Sequence, residues 1–302
     1  MHEASALVIG ESLIDVLPGV GGRAGGSPMN VAVGLARLGR PTLLATWFGR
    51  DSYGALIDQH LRQSGVSLVP ESNAAQRTSS AEVVFDEHGS ARYVFDLTWQ
   101  MPSLPNDLAP IVVHTGSIGA ALQPGADQVL DALRRLRAHT IVSYDPNCRP
   151  QIIGPADGVR ALMESFVGVA DIVKASDEDL AWLYPAVDPL ESARAWLAAG
   201  PSLVVLTQGA AGVTAMSQAA TVEVPAPRVE LADTVGAGDS LMAALLDGLW
   251  GLGFLDASRR DDLASMPPST LERLMLYASR AAGITLSRPS ADPPWRSELP
   301  PI

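Results

Sequence analysis

"LADTVGAGDSLMAALL", residues 231–246, sets two carboxylates and two glycines directly before an apolar run of helical spacing. Glycine at 236 and 238 lets the backbone approach a ligand closely. A helix opening here would aim unpaired amide N–H groups at that ligand from the positive end of its dipole. Such a helix start is an anion-binding arrangement. Asp239 would sit in the first turn, where the dipole favours its charged form. A carboxylate beside a phosphate-sized hole can orient an attacking hydroxyl and take its proton. Taken alone, the same short motif equally fits an ordinary helix start, so the rest of the chain has to decide.

Two other glycine motifs are excluded directly. No glycine is followed by lysine, so the phosphate loop G-x-x-x-x-G-K-[ST] is absent. The first strand ends in "IGESLID" rather than the G-x-G-x-x-G of a dinucleotide-binding turn, which counts against an oxidoreductase.

Outward from that stretch, short apolar runs alternate with helical patterns. "SALVIG" (5–10), "PTLLATWFG" (41–49), "PIVVHTG" (110–116), "TIVSYDP" (140–146), "ADIVKAS" (170–176) and "SLVVLTQG" (202–209) read as strands buried on both faces. Val31, Leu35 and Leu38, then Val129, Leu133 and Leu136, then Leu241, Leu245 and Leu249 mark helices between them. This order predicts an α/β fold with a mainly parallel sheet and ligands at the carboxyl ends of its strands. One region departs from it: "SSAEVVFDEHGSARYVFDL" (79–97) alternates and turns at "DEHG", a hairpin signal. The glycine-rich "LPGVGGRAGGSP" (17–28) reads as a loop beside that hairpin, with Pro28 in a helix's first turn. The expected lid segments are 12–27 and 79–99, within a single unit spanning 1–302.

Composition narrows the function classes. With 302 residues and 47% hydrophobic content the chain can bury a large core. Its 33 acidic residues against 21 basic ones give a net charge of −12, with no basic run for nucleic acid or an anionic membrane. A single cysteine, Cys148, rules out an internal disulfide, and the start shows neither a leader nor a membrane span. The expectation is a cytoplasmic protein acting on small molecules.

Five ordered motifs resemble the ribokinase-like (PfkB) carbohydrate kinases, most of all the bacterial fructokinase type. "GGSPMNVAVGLARLG" (25–39) with "FGRDSYG" (48–54) matches the first signature and "DTVGAGD" (233–239) the second. "DPNCRP" (145–150) is similar to D-x-N-x-R, and "TQGAAG" (207–212) to the T-x-G-x-x-G of the nucleotide strand. The resemblance implies a three-layer α/β/α sandwich with a small β-strand lid. It also implies ATP-dependent phosphorylation of a sugar's primary hydroxyl, fructose first, with ribose, 2-keto-3-deoxygluconate or a nucleoside as alternatives. A sugar or nucleotide sensor that lost the reaction is a further alternative, against which the intact "GAGD" speaks.

The resemblance carries roles onto matching positions. Asp239 becomes the catalytic base, and the amides of Gly236, Ala237 and Gly238 the hole for the transferring phosphoryl group. Asp15, Gly25, Gly26 and Asn30 bind sugar, a carboxylate and an amide suiting hydroxyls that both donate and accept. Taken alone, Asp15 reads rather as a turn residue and Asn30 as a helix cap. Phe95 and Trp99 are expected to pack on the sugar's apolar face, while Arg149, Thr207, Gly209 and Gly212 hold ATP. The family's N-x-x-E motif, which organises magnesium through water, is here Ser176 and Asp179, a shorter arm. In several relatives a potassium ion sits at the position of Asp233 and the loop matching "SRPSADPP" (287–294), where Ser290 stands in a place often held by glycine. The apolar alternation of Val83, Phe85, Tyr93 and Phe95 leaves a face for the chain's own sheet or for a homodimer through the lid.

Overall fold

The computed structural model describes residues 4–17, 19, 21–85 and 91–302, with side chains 17 and 83–93 outside the description. Its strands in chain order are β1 (Ala6–Ile9), β2 (Leu13–Leu17), β3 (Gly21–Gly25), β4 (Thr42–Ala45), β5 (Ser67–Leu68), β6 (Ser80–Phe85), β7 (Ala91–Asp96) and β8 (Val112–Gly116). After these come β9 (Ile141–Asp145), β10 (Ile172–Ser176), β11 (Leu203–Thr207), β12 (Val213–Ser217) and β13 (Thr221–Val224). Among the described residues nine of them form one sheet in the order β13-β12-β11-β10-β9-β8-β1-β4-β5, parallel except at the β12 and β13 edge.

All six apolar runs singled out in the sequence become neighbouring parallel strands of this sheet. Their lack of polar alternation has a plain cause, since each strand buries both faces. Ala6, Val8, Val112, Ile141, Ile172 and Leu203 join a core on one face, whereas Leu7, Ile9, Val113, Val142, Val173 and Val204 join a second core on the other. Helices Ser27–Arg37, Ala237–Gly251 and Pro268–Leu286 cover the first, and Gly125–Leu136 and Ala156–Val169 the second. The result is a three-layer α/β/α arrangement. No helix among the described residues is long and apolar enough to cross a membrane.

A second sheet, β3-β2-β6-β7, stands apart from the large one. Its β6 and β7 are the expected hairpin, paired from Ser80↔Asp96 to Phe85↔Ala91, although the "DEHG" turn lies outside the described residues. The expected loop at 17–28 is corrected: Gly21–Gly25 is a strand, antiparallel to β2. Ladder hydrogen bonds need no side chains, and here glycine is what permits the approach. A Cβ on Gly22 would lie 2.6 Å from Ile14 Cγ2, and one on Gly25 2.4 Å from Asp15 Oδ2. Pro28 does fall in the first turn of helix Ser27–Arg37.

Candidate active site

A cavity of about 750 Å³ opens at the carboxyl ends of β1, β9 and β10, with the small sheet as its opposite wall. Asp239 reaches it from the first turn of helix Ala237–Gly251 and is only 7% exposed. Both its oxygens are held from helix Ser27–Arg37. Oδ1 accepts the Ser27 hydroxyl at 2.7 Å and Oδ2 the Asn30 amide at 2.8 Å. A carboxylate offers about four acceptor sites, so two such bonds fix its direction and leave capacity for a third donor.

Gly236 caps this helix with φ of 77°, left-handed backbone that glycine adopts without cost. A Cβ there would lie 2.5 Å from Ala291 Cβ, so the glycine lets the helix start press against the 288–292 loop. Ala237, Gly238 and Asp239 then begin the helix, where amides have no partner within it. At Gly238 a Cβ would stand 3.3 Å from Lys174 Nζ, placing a buried ammonium beneath the helix start.

Lys174 pairs with Asp145 at 2.9 Å, both within the cavity wall and almost fully buried. Burial pushes the Asp145 carboxyl up to about 6; Lys174 opposes the shift, and the charges of Asp179 and Asp239 add to it. Apart from that ion pair, neither Asp145 oxygen has a hydrogen bond among the described residues. Asp179 behaves differently. Its Oδ1 accepts the Cys148 N–H at 2.7 Å, and its Oδ2 accepts the Ser176 N–H and hydroxyl at 2.9 and 2.7 Å. With Ser176 it forms a capping box at helix Asp177–Leu183, so the residue expected to serve magnesium is committed to the backbone and lies outside the cavity lining.

Glu11, Asp15, Phe95 and Arg149 line the same cavity, as does Asn30, which bonds Asp239. Burial raises the Asp15 carboxyl above its ordinary value, with Arg149 opposing. It raises the Glu11 carboxyl further, to about 7, against three hydrogen-bond donors and the charge of Arg149. Arg149 donates to Asn147 Oδ1 at 2.7 Å and to the Asn147 carbonyl at 3.2 Å. Expected at the phosphates, it exerts its charge on the Glu11 and Asp15 end.

Asp233, Gly25, Gly26 and Ser290 also line the cavity. Asp233 accepts the Val235 N–H at 3.1 Å and the Ser290 N–H at 2.9 Å, bonds that hold its carboxyl below the usual range. Ser290 has φ of 61°, left-handed backbone that glycine adopts more readily than serine. Thr207, Gly209 and Gly212 lie outside this lining, Thr207 ending β11, Gly209 opening the turn Gly209–Ala211 and Gly212 following it; Thr207 is in register with Ser176.

Trp99 requires a correction. It is 4% exposed in the second core, lodged where Gly125 has no side chain: a Cβ on Gly125 would fall 2.1 Å from the indole. It therefore offers no face to a ligand. Phe95 does line the cavity, packed on Leu13, Ala81 and Ile118. Reading the sequence missed Glu11, Ser27, Asp145 and Lys174. For Glu11, Asp145 and Lys174 a signal existed: each is a charge inside or just after an apolar strand, at the end where ligands gather.

A family model described as "pfkB family carbohydrate kinase" matches residues 7–298. A fructokinase of Klebsiella pneumoniae is 33% identical over 305 residues, covering 96% of this chain and 98% of that one. A fructokinase of Rhizobium leguminosarum bv. trifolii is 35% identical over 260 residues, covering 80% and 79%. Among solved structures, fructokinase from Xylella fastidiosa superposes with a TM-score of 0.81 at 25% identity, over 97% of this chain and 96% of that one. Fructokinase from Vibrio cholerae O395, in a form with fructose, ADP and calcium ion bound, gives 0.73 at 25% identity over 95% and 94%.

Proposed function

This chain belongs to the pfkB family of carbohydrate kinases, and we propose that its sugar substrate is fructose, phosphorylated on a primary hydroxyl. The observation that carries the chemistry is Asp239, a buried carboxylate aimed by Ser27 and Asn30 at a cavity it shares with Gly236 and Gly238 of the helix start. The names of the relatives support fructose. So does the wall of Glu11, Asp15, Asn30, Phe95 and Arg149, whose acceptors and donors suit the hydroxyls of a polyol.

In this reading Asp239 orients the acceptor hydroxyl in line with the γ-phosphorus of ATP. As the new O–P bond forms and the bond to the ADP oxygen breaks, the hydroxyl proton passes to Asp239. The amides of Gly236, Ala237 and Gly238 receive the charge developing on the phosphoryl oxygens. Asp15, Gly25, Gly26 and Asn30 hold the sugar, and Thr207, Gly209 and Gly212 the nucleotide. The small sheet serves as the lid that keeps water from competing for the phosphoryl group.

Among the described residues no three His, Cys, Asp or Glu side chains group into a metal cage. A magnesium ion that arrives with ATP and keeps its waters is compatible with that, and Asp145, whose oxygens have no hydrogen-bond partner besides Lys174, is the carboxylate that fits it. Bound there, magnesium would neutralise charge on the nucleotide phosphates. Asp179 takes a supporting role by fixing the Cys148 amide next to that loop, and Asp233 with the Ser290 loop is the proposed potassium site. A cytoplasmic location and a homodimer through the small sheet belong to the same proposal; the side chains of Val83, Phe85 and Tyr93 lie outside the described residues.

Coupled ADP release over a panel of fructose, ribose, 2-keto-3-deoxygluconate, nucleosides and glucose tests the reading. Fructose is expected to give the highest kcat/KM. A higher value for another sugar overturns the substrate, and binding of sugar and ATP without ADP release overturns the reaction.

A further inference from the structure

We infer that Glu11 is a positioning residue of the acceptor pocket: its carboxylate holds the turn Ser117–Ala120 against the small sheet, and with it the apolar wall on which the sugar rests. This builds on the reading that the acceptor binds at the Asp15 end of the cavity.

Glu11 follows β1 by two residues, lines the cavity and is 5% exposed. Its Oε2 accepts the Gly119 N–H at 2.7 Å. Gly119 lies flat on the end of β1, since a Cβ there would stand 2.7 Å from Gly10 Cα and 3.1 Å from Glu11 Oε2. The neighbouring Ile118 is buried with Leu13 and Ala81, and Phe95 packs onto that cluster. One carboxylate thus ties the end of β1 to the turn after β8, and through Ile118 to three strands of the small sheet.

The hydrogen-bonding neighbours of this carboxylate are all donors: its own N–H, the Gly119 N–H and the Ser117 hydroxyl. Arg149, from the loop after β9, is the charge that acts on it, and Asp15 of β2 shares that cation. Arg23, Asp145, Lys174, Asp233 and Asp239 are the further ionisable groups of the cavity. Burial pushes the Glu11 carboxyl up to about 7, so it changes charge near neutrality. A proton on it removes the charge that strengthens the Gly119 bond and turns one acceptor site into a donor facing other donors, so the turn is held more weakly. Sugar affinity then weakens as pH falls through about 7, ahead of the Asp145 carboxyl, which is pushed up only to about 6.

The test is steady-state kinetics of the wild type, Glu11→Gln and Glu11→Asp between pH 5.5 and 8.5, with sugar and ATP varied separately. In the wild type the sugar KM is expected to rise roughly tenfold from pH 8 to pH 6, the change for a group titrating near 7. Glu11→Gln should have a raised sugar KM that is flat with pH, with kcat and the KM for ATP within about twofold of wild type. Glu11→Asp should restore the pH dependence. If Glu11→Gln keeps the wild-type slope, or loses kcat together with sugar affinity, the role is refuted. Should fructose fail as a substrate, the sugar of highest kcat/KM in the panel takes its place, so a wrong substrate and a wrong role for Glu11 leave different records.

Discussion

Replacing Glu11 by glutamine removes a buried charge whose cost the structure lets one estimate. In the folded chain burial raises its carboxyl from 4.5 to about 7. At about 1.4 kcal/mol per pH unit, that difference corresponds to about 3 kcal/mol between the protonated and charged forms. The folded value lies above the unfolded one, so this stability is fully present below the unfolded pKa and is lost as pH rises through about 7. Most of the loss falls between pH 5 and pH 8. Glu11→Gln carries no such proton, so its stability should fall less over the same range. With roughly 2–4 °C per kcal/mol for a chain of somewhat smaller size, the gap in Tm between variant and wild type should widen in the variant's favour by on the order of 5–10 °C from pH 5 to pH 8. Thermal melts by circular dichroism at pH 5, 6, 7 and 8 measure this directly. Melting temperatures that run parallel with pH would refute the reasoning. A variant more stable at pH 8 yet weaker for sugar is the signature of a group kept for function at a cost to folding.

Other substitutions separate the parts of the site. Gly25→Ala puts a methyl 2.4 Å from Asp15 Oδ2, so the sugar KM should rise at least ~10-fold, the scale of one displaced polar contact, with the KM for ATP nearly unchanged; steady-state kinetics with each substrate varied checks it. Trp99→Phe shortens a ring buried in the second core, so it should lower Tm by a few degrees, about 1–2 kcal/mol, and leave the sugar KM unchanged; a changed sugar KM would return Trp99 to the pocket.

The large sheet was legible in the sequence because burial on both faces erases polar alternation, and runs such as "TIVSYDP" and "ADIVKAS" show that directly. The helix start at 236 was legible for a different reason: Gly236 is required by its left-handed backbone, and backbone requirements leave a residue-type signature. Strand β3 was not legible. Its glycines signal a loop locally, and only the tertiary approach of Ile14 and Asp15 explains why a strand needs them. Trp99 was misassigned because an aromatic residue after a hairpin looks the same whether it faces a ligand or a core. Asp179 was misread in part because a capping box and a metal motif both use a carboxylate three residues after a short polar one. Lys174 and Asp145 are 29 residues apart in the chain, and their pairing exists only once β9 and β10 lie side by side.

The central claim is that Asp239 takes the proton of a sugar hydroxyl during phosphoryl transfer from ATP. The direct measurement is sugar-dependent ADP release by Asp239→Asn against wild type, with sugar binding followed separately by calorimetry. The account predicts a kcat at least ~100-fold lower, the scale of a lost general base, with sugar affinity little changed. Near-normal turnover in the variant would contradict it.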